Sequence, residues 1–274
     1  LAALTDRTLH DLDDVERELG QRGLVAIANL PRSALRSIEG ADRSPAGYVA
    51  AKPSSAFAEA FRLLQKTIFS ARDEERLVVA IMSAVSGEGA SSTALALART
   101  VALSGKSVVL VNCDPRPRAS KGALRMTPLQ GLNEVLTSAT PWSDVVIADP
   151  SGAQILPRSF VQFAPTDAFD GAEMQRLLSE LREAFDLVVL DCAPVLAAAE
   201  THSLVRLTDA TIIVARAEKT PRTAVASAIE QVRQAGGVIL GVALNGARRR
   251  RSEGHILFDP RDFRIADKDC AEAA

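Results

Sequence analysis

Nearly continuous apolar runs recur along the chain at residues 77–83, 107–113, 187–190, 210–215 and 238–244. Short runs without polar alternation predict parallel β-strands covered on both faces. The stretches between them carry helical apolar spacing, at 91–103, 171–184 and 221–234, with shorter helices at 131–138 and before residue 210. Gly105 and the pair Gly236 and Gly237 stand where two of those helices should stop. Strand and helix therefore alternate from residue 77 to 245. That order predicts an α/β fold, a mostly parallel sheet with right-handed crossovers and helices on both faces. Residues 145–156 hold two short apolar runs split by Asp149, Pro150, Ser151 and Gly152, a turn sequence.

The regions outside this core are patterned less regularly. Residues 12–22 predict a short polar helix with Asp11 or Thr8 as its cap, and 24–27 a short extended segment. Residues 32–55, rich in Ala, Ser, Gly and Pro without a sustained period, are expected to be a linker or loose loop. Residues 55–71 predict an amphipathic helix capped by Ser54 or Ser55, with Phe57, Phe61, Leu64 and Ile68 on its apolar face. Glu59, Arg62 and Gln65 recur every three residues on another side. Arg116, Pro117, Arg118, Lys121 and Pro128 suggest an exposed loop, and the basic stretch from Arg248 to Arg251 opens a loosely held tail. The expected division is a segment and linker at 1–54, a core domain at 55–246 and a tail at 247–274.

Composition changes this picture little. The chain has 274 residues, 47% hydrophobic, with a formal net charge of -2, so its overall charge makes no case for nucleic acid. Cys113, Cys192 and Cys270 are far apart in sequence and lack metal-ligand spacing, which favours a reducing interior. No run of about 18 apolar residues predicts a membrane span. The chain starts at Leu1 in mid-pattern, and the expectation is that a longer polypeptide, with an anchor, precedes it.

Candidate chemistry gathers at the strand ends, where ligands bind in such sheets. The loop AVSGEGAS at 84–91 follows the first core strand and precedes a helix. Gly87 and Gly89 let the backbone approach a phosphate, whose charge the helix N-terminus favours, and Ser91 can offer its hydroxyl to Mg²⁺. Asp191 ends an apolar strand in the manner of a Walker B carboxylate. Asp114 and Arg116 close the second core strand at the same end of the sheet. His10, His202 and His255 are isolated and receive no role.

These motifs together make residues 55–246 resemble the cytoplasmic domain of bacterial tyrosine kinases, the BY-kinases of capsule and exopolysaccharide export, relatives of the MinD/ParA P-loop ATPases. The Walker A loop is matched at 84–91, the second motif at 110–116, the Walker B motif at 191–194 and the family's assembly helix at 59–65. Thr220 and the strand ending in Asn245 also fit, and residues 1–32 are similar to the segment after the second transmembrane helix of fused Wzz-type chain-length regulators.

The resemblance implies ATP or ADP with Mg²⁺ at Gly87, Glu88, Gly89, Ala90, Ser91, Ser92, Arg116 and Asn245. It implies metal binding by Ser91, Asp114 and Asp191, catalysis by Asp114 and Asp191 if the domain is active, and oligomerisation through Glu59, Arg62 and Gln65. It further implies a homo-oligomer at the cytoplasmic face of the bacterial inner membrane. The implied partner is a membrane-embedded polysaccharide chain-length or export protein, or the chain's own N-terminal part.

The departures fall on functional positions. Ala90 stands where the family has the Walker A lysine, and Asn112 where it has the first aspartate of the second motif. Gln65 replaces an arginine of the assembly helix, Glu200 an aspartate, and the tail lacks the tyrosine cluster that the family phosphorylates. The expectation is a pseudokinase that regulates polymerisation and export by protein contacts, with weakened nucleotide binding. Two alternatives stay open. One is an active kinase or ATPase that recruits Lys106, Arg116, Arg118 or Lys121 as substitute cation. The other, a MinD/ParA-like positioning ATPase, is disfavoured because Ser86 and Gly87 occupy the region of that group's signature lysine.

Overall fold

The computed structural model describes residues 7–38, 42–71, 76–116, 128–138, 140–159 and 169–247. Arg118, Lys121, Arg248 to Arg251, His255 and Cys270 lie outside them. The described elements run in chain order. First come α1 (Leu12–Leu19), β1 (Gly23–Ala28), α2 (Arg32–Arg36), α3 (Pro45–Ala51), α4 (Ala56–Ser70), β2 (Leu77–Ser83), α5 (Ala90–Leu103) and β3 (Val108–Asn112). Then follow α6 (Leu132–Ser138), α7 (Trp142–Val145), β4 (Ile147–Ala148), β5 (Gln154–Leu156), α8 (Ala172–Ala184) and β6 (Leu187–Asp191). The last are α9 (Glu200–Val205), β7 (Ala210–Arg216), α10 (Arg222–Gln234) and β8 (Ile239–Ala247).

The strands form one eight-stranded sheet in the order β1-β8-β7-β2-β6-β3-β5-β4. Only the β4–β5 pair, joined by the Asp149 to Gly152 turn, is antiparallel. The mostly parallel α/β fold expected from the pattern is the one observed. All seven residues of β2 are buried, because successive side chains enter opposite layers. Val78, Ala80 and Met82 pack with α1, α8, α9 and α10, and Leu77, Val79 and Ile81 with α3, α4 and α5. The strands therefore show no polar alternation.

The expected linker at 32–55 is corrected. It contains α2 and α3, and α3 buries Ala46, Gly47, Tyr48 and Val49. Ser44 caps α3 by accepting the Gly47 N–H at 3.0 Å, and Pro45 opens it. A seven-residue helix offers too few positions for a period to emerge, and two small residues on its buried face hide the rest. Tyr48 packs edge-on against Phe57, with ring centroids 5.9 Å apart, and Phe57 leans on Phe61 at 5.4 Å.

The first helix ends sooner than its charge pattern suggests, at Gly20 in the left-handed conformation, while Asp11 caps it as expected by accepting the Asp14 N–H at 2.9 Å. The extended segment after it is β1, an edge strand hydrogen-bonded in parallel to β8.

Candidate nucleotide site

The loop between β2 and α5 is held in shape by partners far away in sequence. Gly87 and Gly89 have φ of 88° and 96°, a region that side-chain-bearing residues rarely adopt. A Cβ on Gly89 would also strike the side-chain amide of Asn245. That amide donates to the Glu88 carbonyl at 2.7 Å, which ties the loop to the end of β8.

The Glu88 carboxylate points inward rather than towards a ligand. It accepts from the Val85 N–H at 2.7 Å, from the Arg216 N–H at 3.4 Å and from the Thr220 hydroxyl. Burial pushes its pKa up, while these hydrogen bonds oppose the shift. The Glu88 side chain is thus a brace between the loop and the end of β7. What Glu88 can offer a ligand is its backbone.

The acidic strand ends meet because β3 and β6 are neighbours, with Asn112 opposite Asp191 in register. Asn112 turns its side-chain oxygen back to accept the Asp114 N–H at 3.2 Å. Asp114 is 1% exposed and accepts from Arg116 Nε at 2.8 Å and Nη2 at 2.5 Å. Arg116 also donates to the Ser86 hydroxyl at 2.5 Å, bridging the β3 end to the phosphate loop.

Asp191 is 1% exposed, and its Oδ1 has no hydrogen-bond partner among the described residues. Burial is the largest cause raising its pKa, to about 7; a hydrogen bond from Ser91 opposes this, the Asp114 charge adds to it, and Arg116 opposes it. An orphaned buried carboxylate oxygen beside a serine hydroxyl suits Mg²⁺, which takes one or two carboxylates and completes its shell with phosphate oxygens and water. No group of three histidine, cysteine or carboxylate side chains gathers into a denser metal site among the described residues.

The raised pKa has a testable sign. The unfolded carboxylate ionises near 4, the folded one near 7, so the fold binds the extra proton between those values. Stability should fall as pH rises from about 4 to 7 and level off above. Asp191→Asn is expected to lack this decline. Thermal melts should show it more stable than the parent at pH 8, by on the order of 1 kcal/mol or more, with the gap closing towards pH 4. Parallel curves for the two proteins would contradict the assignment.

A cavity of about 540 Å³ opens at this end of the sheet. Gly87, Gly89, Ala90, Ser91 and Ser92 form its phosphate-loop side, with Arg116, Arg216 and Asn245 beside them. Ile27, Leu30, Leu35, Phe57 and Phe61 contribute its apolar lining. Loop amides, an α5 N-terminus and an apolar lining suit a nucleoside phosphate. Ala90 places a methyl where a P-loop lysine would carry the charge.

Other expected residues lie elsewhere. Lys106 sits beyond the far end of α5, its ammonium 4.7 Å from the centroid of the Phe69 ring, so it is not a substitute cation for this loop. Glu59 and Arg62 pair through Arg62 Nε at 2.7 Å on the outer side of α4. Gln65 is buried and donates to the Ser104 hydroxyl at 2.7 Å. A three-residue step falls about 60° short of a full turn, so six residues carry Gln65 off the face that Glu59 occupies. Arg216 escaped sequence reading, although it closes an apolar strand just as Asp191 does.

Residues 76–237, more than half of the chain, match the family described as AAA domain (AAA_31). Tyrosine-protein kinase YwqD of Bacillus subtilis is 28% identical over 213 residues, covering 77% of this chain and 90% of that protein. Tyrosine-protein kinase CpsD of Streptococcus agalactiae is 26% identical over 63% of this chain and 75% of its own length. The kinase domain of the Escherichia coli tyrosine kinase ETK shares the fold, with a TM-score of 0.79 over 91% of this chain and 99% of that domain at 23% identity. The chain belongs to the AAA domain family AAA_31 and is a BY-kinase-like domain.

Proposed function

We propose that this domain is a pseudokinase of a bacterial capsule or exopolysaccharide export system, which senses nucleotide weakly and acts through protein contacts. The observation that carries this reading is the contrast within one site. The backbone cradle is braced by Glu88, Thr220 and Asn245, yet Ala90 supplies no cation to it. Phosphoryl transfer depends almost wholly on positioning and electrostatic stabilisation, so a missing charge removes more from transfer than from binding. When bound, nucleotide with Mg²⁺ would supply a transferable phosphoryl group. The loop amides of Gly87, Gly89 and Ser91 would hold its phosphates, Asn245 its outer part, and Ser91 and Asp191 its metal. Asp114 is occupied by Arg116, so it serves that site by fixing the arginine.

The supply of acceptor groups supports the same reading. Tyr48 is the chain's one tyrosine and is 4% exposed, wedged against Phe57. The partner this reading requires is a membrane-embedded chain-length or export protein, contacted at the inner face of the membrane, with Glu59 and Arg62 on α4 available for assembly between copies. Incubation with MgATP is expected to yield no phosphotyrosine by mass spectrometry. Phosphate on Tyr48, or robust phosphorylation of a partner by this domain, would overturn the proposal.

A further inference from the structure

Among the described residues, Arg116 and Arg216 are the arginines that line the cavity with the phosphate loop. The first is committed, because its guanidinium spans Asp114 and Ser86. The second is not. Its backbone N–H is fixed by Glu88 and Thr220, while its guanidinium has no carboxylate or hydrogen-bond partner among the described residues.

The fold keeps that charge beside the loop. Arg216 is the last residue of β7, opposite Asn245 in register, and β7 lies next to β2, whose end feeds the loop. Its guanidinium lies over Gly246, with Cζ 3.8 Å from where a Cβ would stand, so no side chain at that position intervenes. The same Glu88 carboxylate that shapes the loop holds the Arg216 backbone, so loop and arginine are positioned together.

We propose that Arg216 supplies the cation that Ala90 withholds, its guanidinium contacting phosphate oxygens of a bound nucleoside di- or triphosphate. This rests on reading the cavity as a nucleotide cradle. A planar guanidinium can engage two phosphate oxygens at once and stays charged at every working pH. It serves binding: it approaches from the β7 side of the loop, not from the first turn of α5, where a P-loop lysine acts on the transferred group.

The test is calorimetric titration of the full chain with MgADP, inorganic pyrophosphate and adenosine. Arg216→Met should weaken MgADP and pyrophosphate about tenfold or more and leave adenosine unchanged. Arg216→Lys should keep most of the affinity, and Ala90→Lys added to Arg216→Met should restore it, because either cation answers the same phosphates. If Arg216→Met does not fold, Arg216→Gln takes its place with the same expected loss. Pyrophosphate affinity within twofold of the parent in the uncharged variant overturns the proposal, as does a loss confined to adenosine. If the parent binds none of the three probes, the nucleotide reading falls and this proposal with it. Binding by the parent with no effect at residue 216 removes the role of Arg216 alone.

Discussion

Restoring the two missing charges, Ala90→Lys with Asn112→Asp, is expected to tighten MgADP and MgATP binding by about tenfold to a hundredfold. Ala90 is the first residue of α5 and lines the cavity, so a lysine there begins beside the phosphates. A charge-assisted hydrogen bond contributes roughly 1.5–3 kcal/mol. The positive end of the α5 dipole would take back about 0.3–1 kcal/mol when no anion is bound, so part of the gain appears only with ligand. The second substitution acts through the metal. Asn112 stands opposite Asp191, whose pKa is already raised by burial, and a second carboxylate there adds repulsion until a cation screens it. Asn112→Asp alone should therefore lower the stability of the ligand-free protein and make nucleotide affinity depend more steeply on Mg²⁺. Titration with and without Mg²⁺ measures both effects. A parent that binds as tightly as the double variant would show that Ala90 costs the site nothing.

What sequence could disclose about this site depended on how local each signal was. The loop from Ala84 to Ser91, the strand leading to Asp114 and the strand ending in Asp191 are contiguous strings, and each spells its own geometry. The brace on Glu88 is different, because Arg216 and Thr220 lie more than a hundred residues away and only β7 lying beside β2 brings them near. Lys106 shows the converse error. It is close to Ala90 in sequence, but a 14-residue helix is about 21 Å long and carries it to the other end of the sheet. Cys113 and Cys192, far apart along the chain, follow the paired residues Asn112 and Asp191 and are both buried and free. In sequence Gln65 shares a three-residue spacing with Glu59 and Arg62, which does not reveal its burial. The buried amide instead ties α4 to the end of α5.

Arg99→Met is expected to lower stability by roughly 3–5 kcal/mol. Arg99 lies on α5 and is 8% exposed. It donates to Asp149 through Nε at 3.1 Å and Nη2 at 2.8 Å, and to Asp42 through Nη1 at 2.6 Å. One guanidinium thereby fastens two otherwise remote pieces of backbone to α5. Asp149 shapes the β4–β5 turn by accepting the Ser151 N–H at 3.0 Å, and Asp42 steadies the start of α3 by accepting the Ser44 N–H at 3.2 Å. Burial acts to raise the pKa of both carboxylates, yet hydrogen bonds from Arg99 and the serines, with the arginine's charge, leave both lowered. Their contribution is therefore present above the unfolded pKa near 4 and is lost as pH falls through the lower folded values. Without Arg99 the Asp149 carboxylate stays buried without its cation, while Asp42 is partly exposed and still reaches water, and protonation of Asp149 then relieves the fold instead of weakening it. Urea unfolding should show the gap between parent and variant widest at pH 7 and narrowing below pH 4. Adding Asp149→Asn to Arg99→Met should recover part of the loss, because the penalty comes from the stranded charge and not from the missing bonds alone. A gap that persists unchanged into acid would assign the loss to packing of the arginine stem.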